Sequence, residues 1–476
     1  MKNRIQPHLL LSFLMLFLFQ AAHAKESYNI TIKIKGLEKQ EILLGYYYGD
    51  KQYIRDSARC DATGKVVFKG KDSLDGGIYL IASKDRRLLF DFVITEQIFS
   101  LETDTIDYVG NMKVKGSAEN ETFFSYSAFT SKMGRRAMDL DRKYKEAKEK
   151  NDTLSARLLR DQLRNIDDSV DQYRRGIMQD HPGFLMSKIF RMMQEIDVPE
   201  PPKLPNGATD SLFGYYFYRN AYINQIDFTD DRLVRTPVFF QRIQTYITRI
   251  TPQIPDTIAA AAFDVCDRAL GRKEMQKWLI YWITNHYETS EYMGMDKVFV
   301  LMADRYYANK EATYWVDEAL RFKITDRANQ LRYSLIGSKP LNLSLPDSAL
   351  HYQTLFNIKA DYTVLVFWDP HCGRCKEELP RLLELYGKLN GTVKKEKRIE
   401  VYAMASTNDY PEWRKYIREH KLPWINVHDP NKESNYHRYY DIYSTPVVYL
   451  LGKDKRIIAK RLSIEQVADF IEKGIE

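Results

Sequence analysis

Residues 363–380 read TVLVFWDPHCGRCKEELP. The apolar run Val364-Leu365-Val366-Phe367-Trp368 predicts a buried strand, and Asp369-Pro370 breaks it. Cys372-Gly373-Arg374-Cys375 comes next, and beyond it Leu379, Leu382, Leu383 and Leu385 recur at helical spacing. Two cysteines on the first turn of a helix can bring their sulfurs within bridging reach. Unpaired N–H groups and the helix dipole favour an anion at the first of them. Cys372 is therefore the expected nucleophile and Cys375 the resolving thiol, with a static structural disulfide as the bland alternative. The Arg374 guanidinium, and His371 when protonated, are expected to favour the thiolate. A zinc site would need a second ligand pair, and none is spaced for it.

At these residues the sequence resembles the thioredoxin-like superfamily, in particular the extracytoplasmic TlpA and ResA thiol–disulfide oxidoreductases. The resemblance rests on Trp368 before the first cysteine, Lys376 and Pro380 after the second, and a downstream Thr445-Pro446 pair, and it covers the last third of the chain. It implies an α/β thioredoxin-like domain with Trp368 packed under the site. It also implies a cis Thr445–Pro446 bond that presents the Thr445 backbone to an extended substrate. Thr445, Pro446, Trp368 and Arg374 are accordingly the expected substrate-binding residues. In the TlpA and ResA group a glutamate at the place of Glu378 is linked to proton handling, which adds Glu378 to the expected catalytic residues. Val366 departs from cytoplasmic thioredoxins, where a buried aspartate acts as base. The implied activity is reduction of disulfides in envelope proteins, with a membrane-bound electron donor as partner; an oxidase or isomerase role would use the same residues and differ in potential and partner. The Cys372–Cys375 disulfide is the redox group, and no cofactor or metal is expected. A peroxidase is disfavoured, because Asp369 stands where the peroxidatic pattern needs threonine.

The rest of the chain frames this motif. With 476 residues, one hydrophobic core cannot serve the whole chain, so several domains are expected. A composition 44% hydrophobic and 28% charged suits folded domains and argues against wholesale disorder. Residues 1–24 read as a signal peptide: Lys2 and Arg4, an apolar run over 9–19, then Ala22-His23-Ala24. This predicts a periplasmic or secreted protein with no membrane span after cleavage. A formal charge of +7 with both signs mixed throughout does not call for nucleic acid.

Residues 25–116 show short alternating strands at 28–34, 41–48, 52–60, 65–69, 77–82, 88–93 and 98–103, which predicts a sandwich or small barrel. Tyr46-Tyr47-Tyr48, Asp56 and Gly77-Ile78-Tyr79 resemble a β domain of unknown function that precedes thioredoxin-like domains in some Gram-negative envelope proteins. Residues 117–335 carry helical periodicity, ending in a helix over 312–322 and a connector over 323–332. Residues 336–476 have the α/β order of the thioredoxin-like domain. The expected fold is thus multidomain: all-β sandwich-like, then all-α, then α/β. Cys60 and Cys266 are expected to be buried hydrophobes or free thiols. Most of the chain before residue 336 carries no chemistry of its own. The alternative function is therefore a non-enzymatic envelope binding protein whose upstream domains bind a partner.

Overall fold

The computed structural model describes residues 27–391 and 397–473; the expected signal peptide, residues 1–24, lies outside the described residues. The chain divides into two compact units, Met1–Phe190 and Arg191–Glu476. The helices anticipated as one block over 117–335 are therefore shared between the two units.

In the first unit eight strands follow one another: β1 (Tyr28–Lys35), β2 (Glu41–Tyr48), β3 (Lys51–Arg59), β4 (Lys65–Gly70), β5 (Gly77–Ser83), β6 (Leu88–Ile94), β7 (Ile98–Asp104) and β8 (Lys113–Lys115). They form two four-stranded sheets, ordered β4-β1-β7-β8 and β3-β2-β5-β6. Strict alternation puts Tyr28, Ile30, Ile32 and Ile34 of β1 in the core, where they join Ile42, Leu44, Tyr79, Ile81 and Phe92 of the other sheet. This is the sandwich-like domain that the period-two pattern implies. Two long helices follow, α1 (Ala118–Glu149) and α2 (Thr153–Asp180). Asn120 ties α1 to the edge strand β6: its Nδ2 donates to the Val93 carbonyl at 2.6 Å and its Oδ1 accepts the Val93 N–H at 2.8 Å. The amide thus completes a strand edge that would otherwise be left unpaired. α3 (Leu185–Met193) spans the point of division.

The second unit begins with helices α4 (Phe213–Asn224), α5 (Pro237–Thr245), α6 (Pro255–Arg268), α7 (Lys273–Glu288), α8 (Asp296–Met302) and α9 (Glu318–Arg332). α9 corrects the expected helix over 312–322. Asp317 caps it by accepting the Leu320 N–H at 2.7 Å, so the helix starts there and runs through the anticipated connector. Arg321, 8% exposed, donates to the carbonyls of Tyr307, Thr313 and Val316, which holds 312–317 as turns.

The chain then enters the α/β domain: β9 (Ser344–Pro346), β10 (Tyr352–Thr354), β11 (Ala360–Trp368), α10 (Gly373–Asn390), β12 (Lys397–Ala405), α11 (Tyr410–His420), β13 (Ile425–His428), α12 (Tyr436–Tyr439), β14 (Val447–Leu451), β15 (Ile457–Lys460) and α13 (Ile464–Lys473). The sheet order is β13-β12-β11-β14-β15; β11, β12 and β13 are parallel, and β14 and β15 antiparallel. β11 is central and buried on both faces, which explains its unbroken apolar run. Val364, Val366 and Trp368 face α10 and α13, while Leu365 and Phe367 lie on the other side of the sheet in one cluster with Tyr436, Tyr440 and Tyr449. Among the described residues no helix is long and apolar enough to cross a membrane.

Candidate functional site

β11 ends at Trp368, and α10 starts one turn later with Cys372 as its N-cap. A cap side chain serves the N–H groups the first helical turn leaves unpaired. Here the cap atom is sulfur: Cys372 Sγ accepts the Cys375 N–H at 3.2 Å. From across the fold, the Thr445 carbonyl accepts the Cys372 thiol at 3.3 Å. The Thr445–Pro446 peptide bond is cis. The two cysteines thus lie together on the helix start, with Cys372 half-buried and Cys375 buried behind it at 1% exposure.

The surroundings separate the two thiols. Partial burial pushes Cys372 up, but hydrogen bonds from the Cys375 and Thr445 side chains and from the Cys375 and Arg374 N–H groups outweigh it, so its pKa falls below the ordinary thiol value. Burial, reinforced by the Cys372 sulfur beside it, pushes Cys375 up to about 12. The pair therefore holds one proton loosely, at the solvent edge, and one tightly, inside.

The other expected residues divide. Trp368 is fully buried, shares a core cluster with Cys375 and Leu379, and lies 5.2 Å from the Tyr416 ring. Pro446 and Arg374 line a cleft of about 350 Å³ together with Glu378, Tyr443, Val448 and Arg461. Arg374 acts on Cys372 through its main-chain N–H, and the residue also lines the cleft. His371 turns instead to Asp409, with Nε2 3.2 Å from Oδ2.

Glu378 is buried, but both of its oxygens are engaged: Oε1 with Arg381 at 3.3 Å and Oε2 with the Ile464 N–H at 3.1 Å. Ser463 and Gln466 complete a reciprocal cap at the same helix start, with N···O distances of 2.9 and 3.2 Å. Glu378 thus links α10 to the beginning of α13, and among the described residues no hydrogen bond joins it to either cysteine.

Sequence reasoning missed Asp441. Its carboxylate is 2% exposed and takes both Arg327 and Arg461. The local signal was a lone aspartate before a loop, and its partners lie far away in the chain.

Residues 360–457 match the thioredoxin-like family model, and residues 28–123 match a domain of unknown function, DUF4369. The thiol-disulfide oxidoreductase ResA of Bacillus cereus is 24% identical over 141 residues, which is 29% of this chain and 78% of that protein. A domain of a "possible thiol-disulfide isomerase" from Cytophaga hutchinsonii is 39% identical, over 29% of this chain and 92% of that one, with a TM-score of 0.27. A thioredoxin-like protein from Bacteroides caccae aligns with 59% of this chain and 100% of its own at 19% identity and a TM-score of 0.44. Homologues in the thiol-disulfide oxidoreductase family support a general thioredoxin-like redox function. Residues 360–457 thus form a thioredoxin-like domain homologous to the ResA thiol-disulfide oxidoreductases, and a DUF4369 domain stands at the amino terminus.

Proposed function

We propose that this protein is an extracytoplasmic thiol–disulfide oxidoreductase that reduces disulfides in envelope proteins. The observation that carries this reading is the cap geometry: a half-exposed Cys372 sulfur that accepts the Cys375 N–H, with the partner thiol sealed behind it. In the forward reaction the Cys372 thiolate attacks one sulfur of a client disulfide. A Cys372–client S–S bond forms, the client S–S bond breaks, and the departing client sulfur takes up a proton. Cys375 then loses its proton and attacks the Cys372 sulfur. The intramolecular disulfide forms, the mixed disulfide breaks, and the second client sulfur is protonated. Two electrons and two protons have passed to the client, and a dithiol donor at the membrane restores the starting state.

Each part of the site has a task in this scheme. The N–H groups of Arg374 and Cys375 hold the Cys372 thiolate without a bound cation. Burial, and after it the Cys372 sulfur, keep the Cys375 thiol protonated; formation of the mixed disulfide removes the second of these and eases its ionisation. The cleft beside Pro446 offers a place for the polypeptide that flanks a client cysteine.

The test is reduction of insulin disulfides by the full chain with dithiothreitol as reductant, followed as precipitation of the freed chains. Activity in the wild type and its loss in Cys372→Ser supports the proposal; equal rates in the two proteins reject it. The binding-protein alternative predicts no turnover in either protein.

A further inference from the structure

Two consecutive residues of α9 reach the segment that leads to the cis proline. Asp326 pairs with Arg438 on α12. Arg327 makes a two-pronged ion pair with Asp441, donates to the Tyr443 hydroxyl at 3.1 Å, and lies 5.4 Å from that ring. Just beyond them on the chain, the Tyr333 and Tyr439 rings meet edge-on with centroids 4.9 Å apart. A second arginine, Arg461, approaches the same Asp441 carboxylate from the end of β15. Nearby, Lys460 of β15 is buried against Asp296 and the Ser334 carbonyl. The helical part of the second unit is thus fastened to the α/β domain at several points, and one of them lies four residues before Thr445.

The segment 441–446 is held at both ends. At its far end β14 begins at Val447, which is paired in register with Phe367 of β11. At its near end stands Asp441, with a φ of 53°, a left-handed conformation that aspartate tolerates better than most residues. A carboxylate this deeply buried is costly unless its charge is met. Arg327 is the better shielded of its two partners, with a side chain 22% exposed against 56% for Arg461. Between the two ends lies the Thr445 carbonyl that meets Cys372.

We propose that Arg327 and Asp441 are positioning residues, through which α9 holds the Thr445–Pro446 segment against Cys372. The redox consequence rests on the function proposed above; the mechanical claim does not. In this arrangement the upstream helices shape the site even though they supply no reacting atom. Tyr443, Asp441 and Arg461 also line the cleft beside Pro446, so the clasp governs a bulky client more than a small disulfide.

The experiment uses the full chain with Arg327→Met, Arg327→Lys and Asp441→Asn. Hydrogen exchange of the reduced proteins reports the backbone of residues 443–447 directly. The expected result for Arg327→Met and Asp441→Asn is exchange there faster by roughly tenfold, with the strands β11 and β12 unchanged. The pH midpoint for alkylation of Cys372 shifts from the wild-type value, because the Thr445 carbonyl and side chain both bear on its sulfur. kcat/KM for insulin falls several-fold more than kcat/KM for Ellman's reagent, and Arg327→Lys recovers part of each effect. A lower melting temperature in Arg327→Met with exchange and midpoint unchanged overturns the proposal. If the wild type reduces neither substrate, the proposed function fails, and the exchange measurement still decides whether the clasp exists.

Discussion

The Thr445 carbonyl and the Cys372 sulfur, 73 residues apart in the chain, meet at 3.3 Å. That contact serves the thiol, which can donate, whereas the N–H of Cys375 at 3.2 Å serves the thiolate, which can only accept. The same sulfur therefore has a partner in each protonation state, and its neighbours decide which state is favoured at a given pH.

Alkylation of the reduced protein should separate the two cysteines by pH. The Cys372 pKa is depressed by its hydrogen bonds despite partial burial, so its reaction rate should reach half-maximum at a lower pH than that of an ordinary free cysteine. Cys375 sits at about 12 and should stay unlabelled until strongly alkaline pH. Peptide mass spectrometry after iodoacetamide treatment across a pH series checks this. Equal labelling of both at neutral pH would contradict the order of the two pKa values.

In the first unit, Asn120→Ala should destabilise the β domain by about 2–4 kcal/mol, because it leaves both the Val93 N–H and C=O buried without a partner. Urea unfolding followed by far-ultraviolet circular dichroism measures the loss. A change under 0.5 kcal/mol, of the size expected for an ordinary surface substitution, would mean that water replaces the amide at no cost.

The contrast between Asn120 and the β11–α10 junction shows what the sequence makes legible. An apolar run of five, a break and a leucine stripe are local patterns, so the strand, the helix after it and the cysteine pair between them are readable without coordinates, whereas the role of Cys372 as the cap is not. The seven longer strands of the sandwich are readable for the same reason, while β8, with three residues, is too short to show a period. The 312–322 reading failed because Thr313 and Val316 are buried in turns whose carbonyls receive Arg321, and the true helix start is the Asp317 cap. Neither the attachment of α1 to β6 nor the grip of Arg327 on Asp441 leaves a periodic trace. Each is a single polar side chain that meets a distant partner.

Glu378 offers a direct contest between two roles. If its carboxylate serves as an anchor, Glu378→Gln keeps an oxygen for the Ile464 N–H and loses only the exposed Arg381 pair, a cost of about 0–1 kcal/mol. Glu378→Ala removes the helix anchor and should cost about 1–2 kcal/mol more. Resolution of a preformed Cys372 mixed disulfide, timed by stopped flow, should be unchanged in the glutamine variant. A drop of about tenfold or more would instead give the residue the proton-accepting role, since general base catalysis is worth at least that much.

The two remaining cysteines should behave as packing residues. Cys60 and Cys266 are free and buried, with burial pushing both thiols up, Cys266 far more strongly. Native protein should leave both unlabelled by iodoacetamide, and denatured protein prepared without reductant should label both. Failure to label either one after denaturation would show that it is bridged or modified.

The central claim is that Cys372 and Cys375 interconvert between dithiol and disulfide, and a glutathione redox titration of the full chain tests it most directly. Equilibrated samples are acid-quenched, alkylated and weighed by mass spectrometry. The account predicts one two-electron transition, with the mass changing by two alkyl groups that map to Cys372 and Cys375. A pair that stays reduced, or stays oxidised, across the whole range of glutathione poise would contradict it.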